Sequence, residues 1–170
     1  MENKEGTVTA LCLNQDPGLP KYEVQEVEIV ANHGVQGDYH AGEFVRHRYL
    51  AKKDPTRLNV RQVLLADDRI YANIAAHGIP PVPGSLGENV VVEGIDLMNL
   101  PVRTRLSINE VILEITEVRE PCYQLNQIHP ELQAVVMPDE KDEKSWRGGM
   151  MAVVIRGGSV RVGDRVQIVD

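Results

Sequence analysis

Apolar and polar residues alternate in short runs along most of this chain, the period of strands with one buried face. "TVTALCL" (7–13) and "EVQEVEIV" (23–30) read as two such strands, separated by the Pro/Gly-rich "DPGLPK". "RLSI" and "VILEITEV" flank Asn109-Glu110, a two-residue spacing that suits a hairpin. Near the C-terminus, "MAVVI", "SVRV" and "RVQIV" are joined by Gly157-Gly158 and Gly163-Asp164. Three strands so closely spaced predict an antiparallel meander.

Helical patterns are fewer. "ADDRIYANIAAHG" (66–78) places Asp67 and Asp68 where a helix start favours negative charge, sets Ile70, Ile74 and His77 on one stripe and closes with Gly78. "PELQAVVM" (130–137) begins with a proline and stops before Pro138, and "DEKDEKS" after it reads as a charged loop. No repeat or interdomain linker interrupts the 170 residues, so the expectation is one domain over 1–170. Its expected class is mostly β, a closed barrel with two or three peripheral helices.

Composition narrows the function classes. A formal net charge of −7 and a pI near 5.3 argue against general nucleic-acid binding. One Phe, one Trp and five Tyr leave few faces for stacked bases. The start, MENKEGT, has neither the basic nor the apolar part of a signal peptide, and no apolar run approaches the roughly 20 residues that span a bilayer. Two cysteines, Cys12 and Cys122, make no disulfide framework and fit a reducing compartment. A cytoplasmic protein with neither membrane nor nucleic acid as partner is expected. The charge is uneven, however: between Phe44 and Arg61 stand Arg46, Arg48, Lys52, Lys53, Arg57 and Arg61 with His47, against Asp54 alone. The stretch is either a solvated loop or a local anion cradle.

Three segments carry candidate chemistry. In "NHGVQGDYHAGE" (32–43), Gly34, Gly37 and Gly42 permit tight turns around Asp38 and His40, which at an i, i+2 spacing share a face. With His33 they form a weak divalent-metal candidate, beside the alternatives of a plain turn and a pocket wall. In "PPVPGSLGENVVVEG" (80–94), Ser85, Gly87 and the N–H groups around Glu88 and Asn89 could form a nest for anionic oxygens. Neither a P-loop nor a GxGxxG fingerprint occurs. The third is Cys122, which follows Arg119 and Pro121 where a helical stretch begins. A guanidinium and a helix start both favour a thiolate. Cys12, inside "TVTALCL" on the face of Val8 and Ala10, reads as packing.

Five pieces in order resemble the MOSC family, the domain at the C-terminus of molybdenum-cofactor sulfurases, and most of all its small stand-alone bacterial members. They are "GVQGDYHAG", "NVRQVLL", "GSLGENVVVEGIDL", "LEITEVREPCYQL" and "AVVIRGGSVRVGDRV", spanning residues 34 to 169. The resemblance implies a barrel of the pyruvate-kinase type. It places the family's sulfur-carrying cysteine, or in related reductases a molybdenum ligand, on Cys122. It further implies a pocket for the anionic pterin of the molybdenum cofactor (molybdopterin), walled by Gly37, Asp38, His40, Gly87, Glu88 and Asn89, with Arg61 and Arg119 for the phosphate. The implied activity is sulfur transfer through a Cys122 persulfide, or reduction of N-hydroxylated compounds; the remaining alternative is a non-catalytic barrel that binds an anionic ligand, with Cys122 incidental. The implied partner is a cysteine desulfurase-type donor or a redox protein. Pyridoxal phosphate is a family-level association alone, since no Schiff-base lysine motif stands here. Two departures are visible: "LPVRTRLSINEV" lacks a glycine-containing turn before the strand, and Asn109 replaces a glycine after it.

Overall fold

The computed structural model describes residues 4–169. Strand β1 (Glu5–Leu13) sets the wall. A register shift between Val8 and Ala10 puts Leu11 with Val8 in the barrel interior. Cys12 therefore turns to the opposite face, where it is fully buried. The run 23–30 is two strands, not one: β2 (Tyr22–Val24) pairs with β1, while β3 (Glu26–Val30) joins β4 (Gly34–Val35) in a second sheet. Glu26, Glu28 and Val30 face solvent there while Val27 and Ile29 are buried, so alternation survives the change of sheet.

The remaining wall strands are β5 (Val63–Asp67), β6 (Val90–Glu93), β7 (Arg105–Ile108), β8 (Val111–Val118), β9 (Met150–Arg156) and β11 (Arg165–Val169). They run β1–β6–β5–β9–β8–β7–β11, and β11 returns to β1, closing a seven-strand barrel. Only the β5–β6 pair in this ring is parallel. Closure leaves no edge along the ring for another chain to pair with. Val8, Leu65, Val92, Leu113, Ile115 and Val166, all fully buried, are among the residues that fill it.

The C-terminal meander does not form. β10 (Gly158–Arg161) leaves the barrel for β3, and β11 pairs with β7 and β1 instead. Gly157 lies so close to β3 that a Cβ there would stand 2.5 Å from the Ile29 carbonyl oxygen, a proximity that alternation cannot register. The hairpin at 109–110 does form, with Ile108 opposite Val111. Asn109 takes φ 54° and Arg103 takes φ 76°, so both turns adopt left-handed backbone without glycine.

Helix α1 (Arg48–Lys53) lies inside the basic stretch and buries none of its side chains. Helix α2 (Asp68–Ala76) is capped by the Asp67 carboxylate, which accepts from Ile70 N at 3.0 Å. Ile70 and Ile74 pack inward as expected, whereas His77 is exposed and its Nδ1 lies 2.8 Å from Asn73 O. Helix α3 (Leu132–Val136) covers the same flank through Leu132 and Val136. These helices cover β5 at Ala66, while Val63 and Leu65 point into the barrel core, and all five residues of the strand are buried. The charged loop at 139–145 contains one 3-10 turn, Glu143–Ser145. Among the described residues no helix is long and apolar enough to cross a membrane.

Candidate functional site: a basic cleft with one thiol

The strand β8 ends at Val118 and the chain turns through Arg119-Glu120-Pro121 to Cys122. Gly148 and Gly149 make that corner fit. Arg119 N donates to Gly149 O at 2.9 Å, and the Arg119 guanidinium donates to Gly148 O at 3.1 Å. A Cβ on Gly148 would meet Pro121 at 2.9 Å. Cys122 caps a 3-10 helix, Tyr123–Gln127, and its carbonyl accepts from Leu125 N at 3.0 Å. This is a short 3-10 turn, so its dipole is small and the charge beside the sulfur comes chiefly from arginine.

Cys122 is half-buried on the wall of a cleft of about 440 Å³, within the size range of small-molecule sites. Arg61, Arg119, His40, Gly87 and Asn89 share that wall. From the basic stretch, Arg46, His47 and Arg48 also reach it, while Lys52, Lys53 and Arg57 stay outside. The stretch thus lines the cleft at one end and leaves it at the other. Arg61 is held by Glu117. The Arg46 guanidinium lies 4.6 Å from the centre of the Tyr39 ring, a cation–π contact. Arg119 is also buried: this pushes its pKa down to about 10, while Glu88 and then the Cys122 sulfur support its charge.

Gly37, Asp38 and Glu88 stand behind the cleft and do not line it. Gly37 serves the turn itself, with φ 86°. Asp38 is fully committed: its carboxylate accepts from Lys21 Nζ at 2.9 Å, from Asn14 N at 3.1 Å and from His40 N at 3.1 Å. A carboxylate so engaged is poorly placed to ligate a metal with His33 and His40. No group of three or more His, Cys, Asp or Glu side chains among the described residues converges as a metal site. The glycine-rich nest at 84–89 forms, but its anion is internal. Glu88, fully buried, accepts from Gly84 N at 2.6 Å and Leu86 N at 3.0 Å, and from the Tyr71 hydroxyl. Asn89 likewise spends its amide on structure, accepting from Leu64 N and donating to Cys12 O, both at 3.1 Å.

Lys21 is the cleft residue that spacing could not reveal. It is 3% exposed, lines the cleft and pairs with Asp38. Burial lowers its pKa, and Asp38 opposes the shift. The one signal in the sequence is a lysine directly after the Pro/Gly-rich "DPGLP". Its position depends on Gly84, where a Cβ would lie 2.0 Å from Lys21 O and φ is 90°. Gly84→Ala is expected to cost roughly 1–3 kcal/mol for the strained backbone alone, with the clash in addition. Urea unfolding measures it, and an unchanged midpoint would contradict this backbone contact.

Burial first, then the Lys21 ammonium, push the His40 imidazole down to about 4, against the pull of Asp38. The unfolded chain takes up the same proton near the ordinary value of roughly 6.5. Between those values the unfolded state binds more protons, so this contribution to stability is lost as pH falls through the window. Asp67 and Glu88 act oppositely, because burial raises their pKa and lets the folded state take protons first. His40→Gln isolates the imidazole. Its urea midpoint is expected to fall less than the wild-type midpoint between about pH 6.5 and about pH 4; parallel curves would remove the assignment.

A larger cavity, about 580 Å³, lies between α2 and α3. Its basic groups are already engaged, Arg69 by Asp96 and Arg147 by the carbonyls of Lys144 and Trp146, and neither cysteine lines it. The half-buried thiol and the arginines around it belong to the smaller cleft.

The fold and site together are a closed barrel with a cleft lined by cationic side chains and one half-buried thiol. The sequence profile of the MOSC domain matches residues 36–167, and the chain belongs to that family, one associated with the molybdenum cofactor. Among solved structures, it is similar to the YuaD protein of Bacillus subtilis, with 21% identity, TM-score 0.81, and 96% of this chain and 95% of that one covered. It is also similar to YiiM of Geobacillus stearothermophilus, with 15% identity, TM-score 0.65 and 100% and 75% covered. YiiM of Escherichia coli gives 18%, 0.59, and 100% and 70%. No curated protein matches the chain in sequence.

Proposed function

We propose that the chain is a sulfur carrier. Cys122 accepts sulfane sulfur from a cysteine desulfurase-type donor as a persulfide and passes it to an anionic acceptor seated in the cleft, a metal–sulfur or molybdopterin compound. The observation that carries this reading is the contrast between the two thiols. Cys122 lines the cleft beside Arg119, whereas Cys12 is fully buried and its pKa is pushed up to about 12, first by burial.

In the loading step the Cys122 thiolate attacks the outer sulfur of the donor's persulfide. A new S–S bond forms, the donor's S–S bond breaks, and the donor leaves as a thiolate, with no net redox change. Delivery reverses the roles: a soft sulfur nucleophile on the acceptor takes the outer sulfur, and Cys122 leaves as thiolate. Arg119 and Arg61 supply the positive potential in which an anionic persulfide persists. Purified protein incubated with a cysteine desulfurase and ³⁵S-cysteine should acquire label at Cys122 that a reductant releases; absence of label removes the carrier role.

One observation favours a second reading. Because no protein-built metal site exists among the described residues, a molybdenum centre would have to arrive with its own pterin chelate and take a single protein sulfur. The cleft suits that group: Cys122 would meet the metal, and Arg119, Arg61 and Arg46 the phosphate. When bound, the cofactor supplies two-electron chemistry of the kind that reduces N-hydroxylated compounds, with a redox partner protein as electron source. Protein from a cofactor-making host should then contain molybdenum by mass spectrometry, and metal-free protein that still loads sulfur decides for the carrier.

A further inference from the structure

Among the described residues, one buried side-chain nitrogen or oxygen has no hydrogen-bond partner: Nδ1 of His47. Buried polar atoms are nearly always paired, because an unmet one costs about 1–3 kcal/mol. His47 also lines the cleft. It stands at the N-cap of α1 but makes no side-chain capping bond, so local structure does not account for its orientation. No other buried side-chain nitrogen or oxygen among the described residues is left unpaired, and this one lies at the candidate site.

The surroundings say what would settle it. Arg61, before β5, and Arg119, after β8, act on the ring as cations, with Glu120 opposing them. His40, which lines the same cleft, feels the His47 ring in turn. Burial and the two guanidiniums lower the imidazole's pKa, which keeps the ring neutral at neutral pH. A neutral imidazole carries one N–H, and the ligand selects which nitrogen bears it. The cationic wall draws an anion, whose oxygens only accept. The tautomer that complements it has the proton on Nδ1.

We propose that Nδ1–H of His47 is the fixed donor of an oxyanion seat in the cleft, completed by the guanidiniums of Arg119 and Arg61, and that the ligand enters with a phosphate- or sulfate-like group placed there. The seat rests on the anionic-ligand part of the proposed function and adds a residue the basic stretch alone did not distinguish. It joins two chemistries in one cleft, a hard oxyanion seat at His47 and a soft sulfur at Cys122.

The test uses the full chain with sulfate and with guanosine monophosphate as probes, followed by calorimetry and by ¹⁵N–¹H spectra of the histidine rings. Sulfate should move the His47 ring nitrogens in wild type. His47→Ala should weaken both probes by roughly 10-fold or more. His47→Asn, whose side-chain amide nitrogen falls near the Nδ1 position, should recover most of that loss. A nucleotide bound more tightly than sulfate assigns the seat to a phosphate monoester on a planar base, and equal affinity assigns it to a free oxyanion. Unchanged affinity in His47→Ala, or ring signals that do not respond to either probe, overturns the proposal. Loading of Cys122 by inorganic polysulfide is measured in parallel. Its failure removes the carrier reading, whereas loss of anion affinity with loading intact concerns the seat alone.

Discussion

Cys122→Ser is expected to abolish reductant-labile ³⁵S labelling, a fall on the order of 1,000-fold or more, since removing a nucleophile removes the step it performs. The control is built into the chain. Cys12 is sealed behind the bulged part of β1, with its backbone N–H bonded to Asn89 O at 2.8 Å and its carbonyl held by the Asn89 amide. Cys12→Ala should therefore leave labelling intact while costing about 1 kcal/mol of packing. The reverse result, with label retained in Cys122→Ser and lost in Cys12→Ala, would place the chemistry in the barrel wall and end the reading of the cleft. Cys122→Ser should also melt close to the wild type, because the half-buried sulfur makes no hydrogen bond on which the corner depends.

Asp38→Ala is expected to be the most destabilising substitution near the cleft, by about 3–5 kcal/mol, the usual cost of stripping one partner from a buried ion pair. The two side chains of the pair are 3% and 0% exposed. The order within a series is as informative as the size. Asp38 without Lys21 would keep the backbone donors of Asn14 and His40, whereas Lys21 without Asp38 would keep no ion-pair partner among the described residues. Lys21→Met should thus cost less than Asp38→Ala, with Asp38→Asn between them because its one amide oxygen can still accept from one of the two N–H groups, which bond different oxygens of Asp38. Urea denaturation at neutral pH measures all three. If Lys21→Met proves the costlier, the carboxylate is not the anchor of this loop.

Much of the wall was legible in the sequence because its signal is local. The hairpin at 109–110, the caps of α2 and the alternation of β11 each depend on residues a few positions apart. The motif around Cys122 was legible for the same reason, as a proline corner leaving a strand. Where a strand goes after it ends is a different matter. β10 crosses to β3 because Gly157 admits a backbone from more than 120 residues earlier, and nothing in "IRGGSV" states which neighbour will come. The meander expectation failed at that point.

The candidate site divides along the same line. Local sequence offered Cys122 beside Arg119 as a thiolate candidate, and the family resemblance singled it out and added Arg61; the structure brings all three to one cleft. It also placed Glu88 in a nest of amides without showing that its own carboxylate fills the nest, and it offered Asp38 to a metal when a distant lysine had already claimed it. Burial and pairing are properties of three-dimensional neighbourhoods. A carboxylate, an ammonium or an imidazole takes its role from what surrounds it, so the commitments of Asp38, Lys21, Glu88 and His47 were decided only when barrel closure brought separate loops to one cleft.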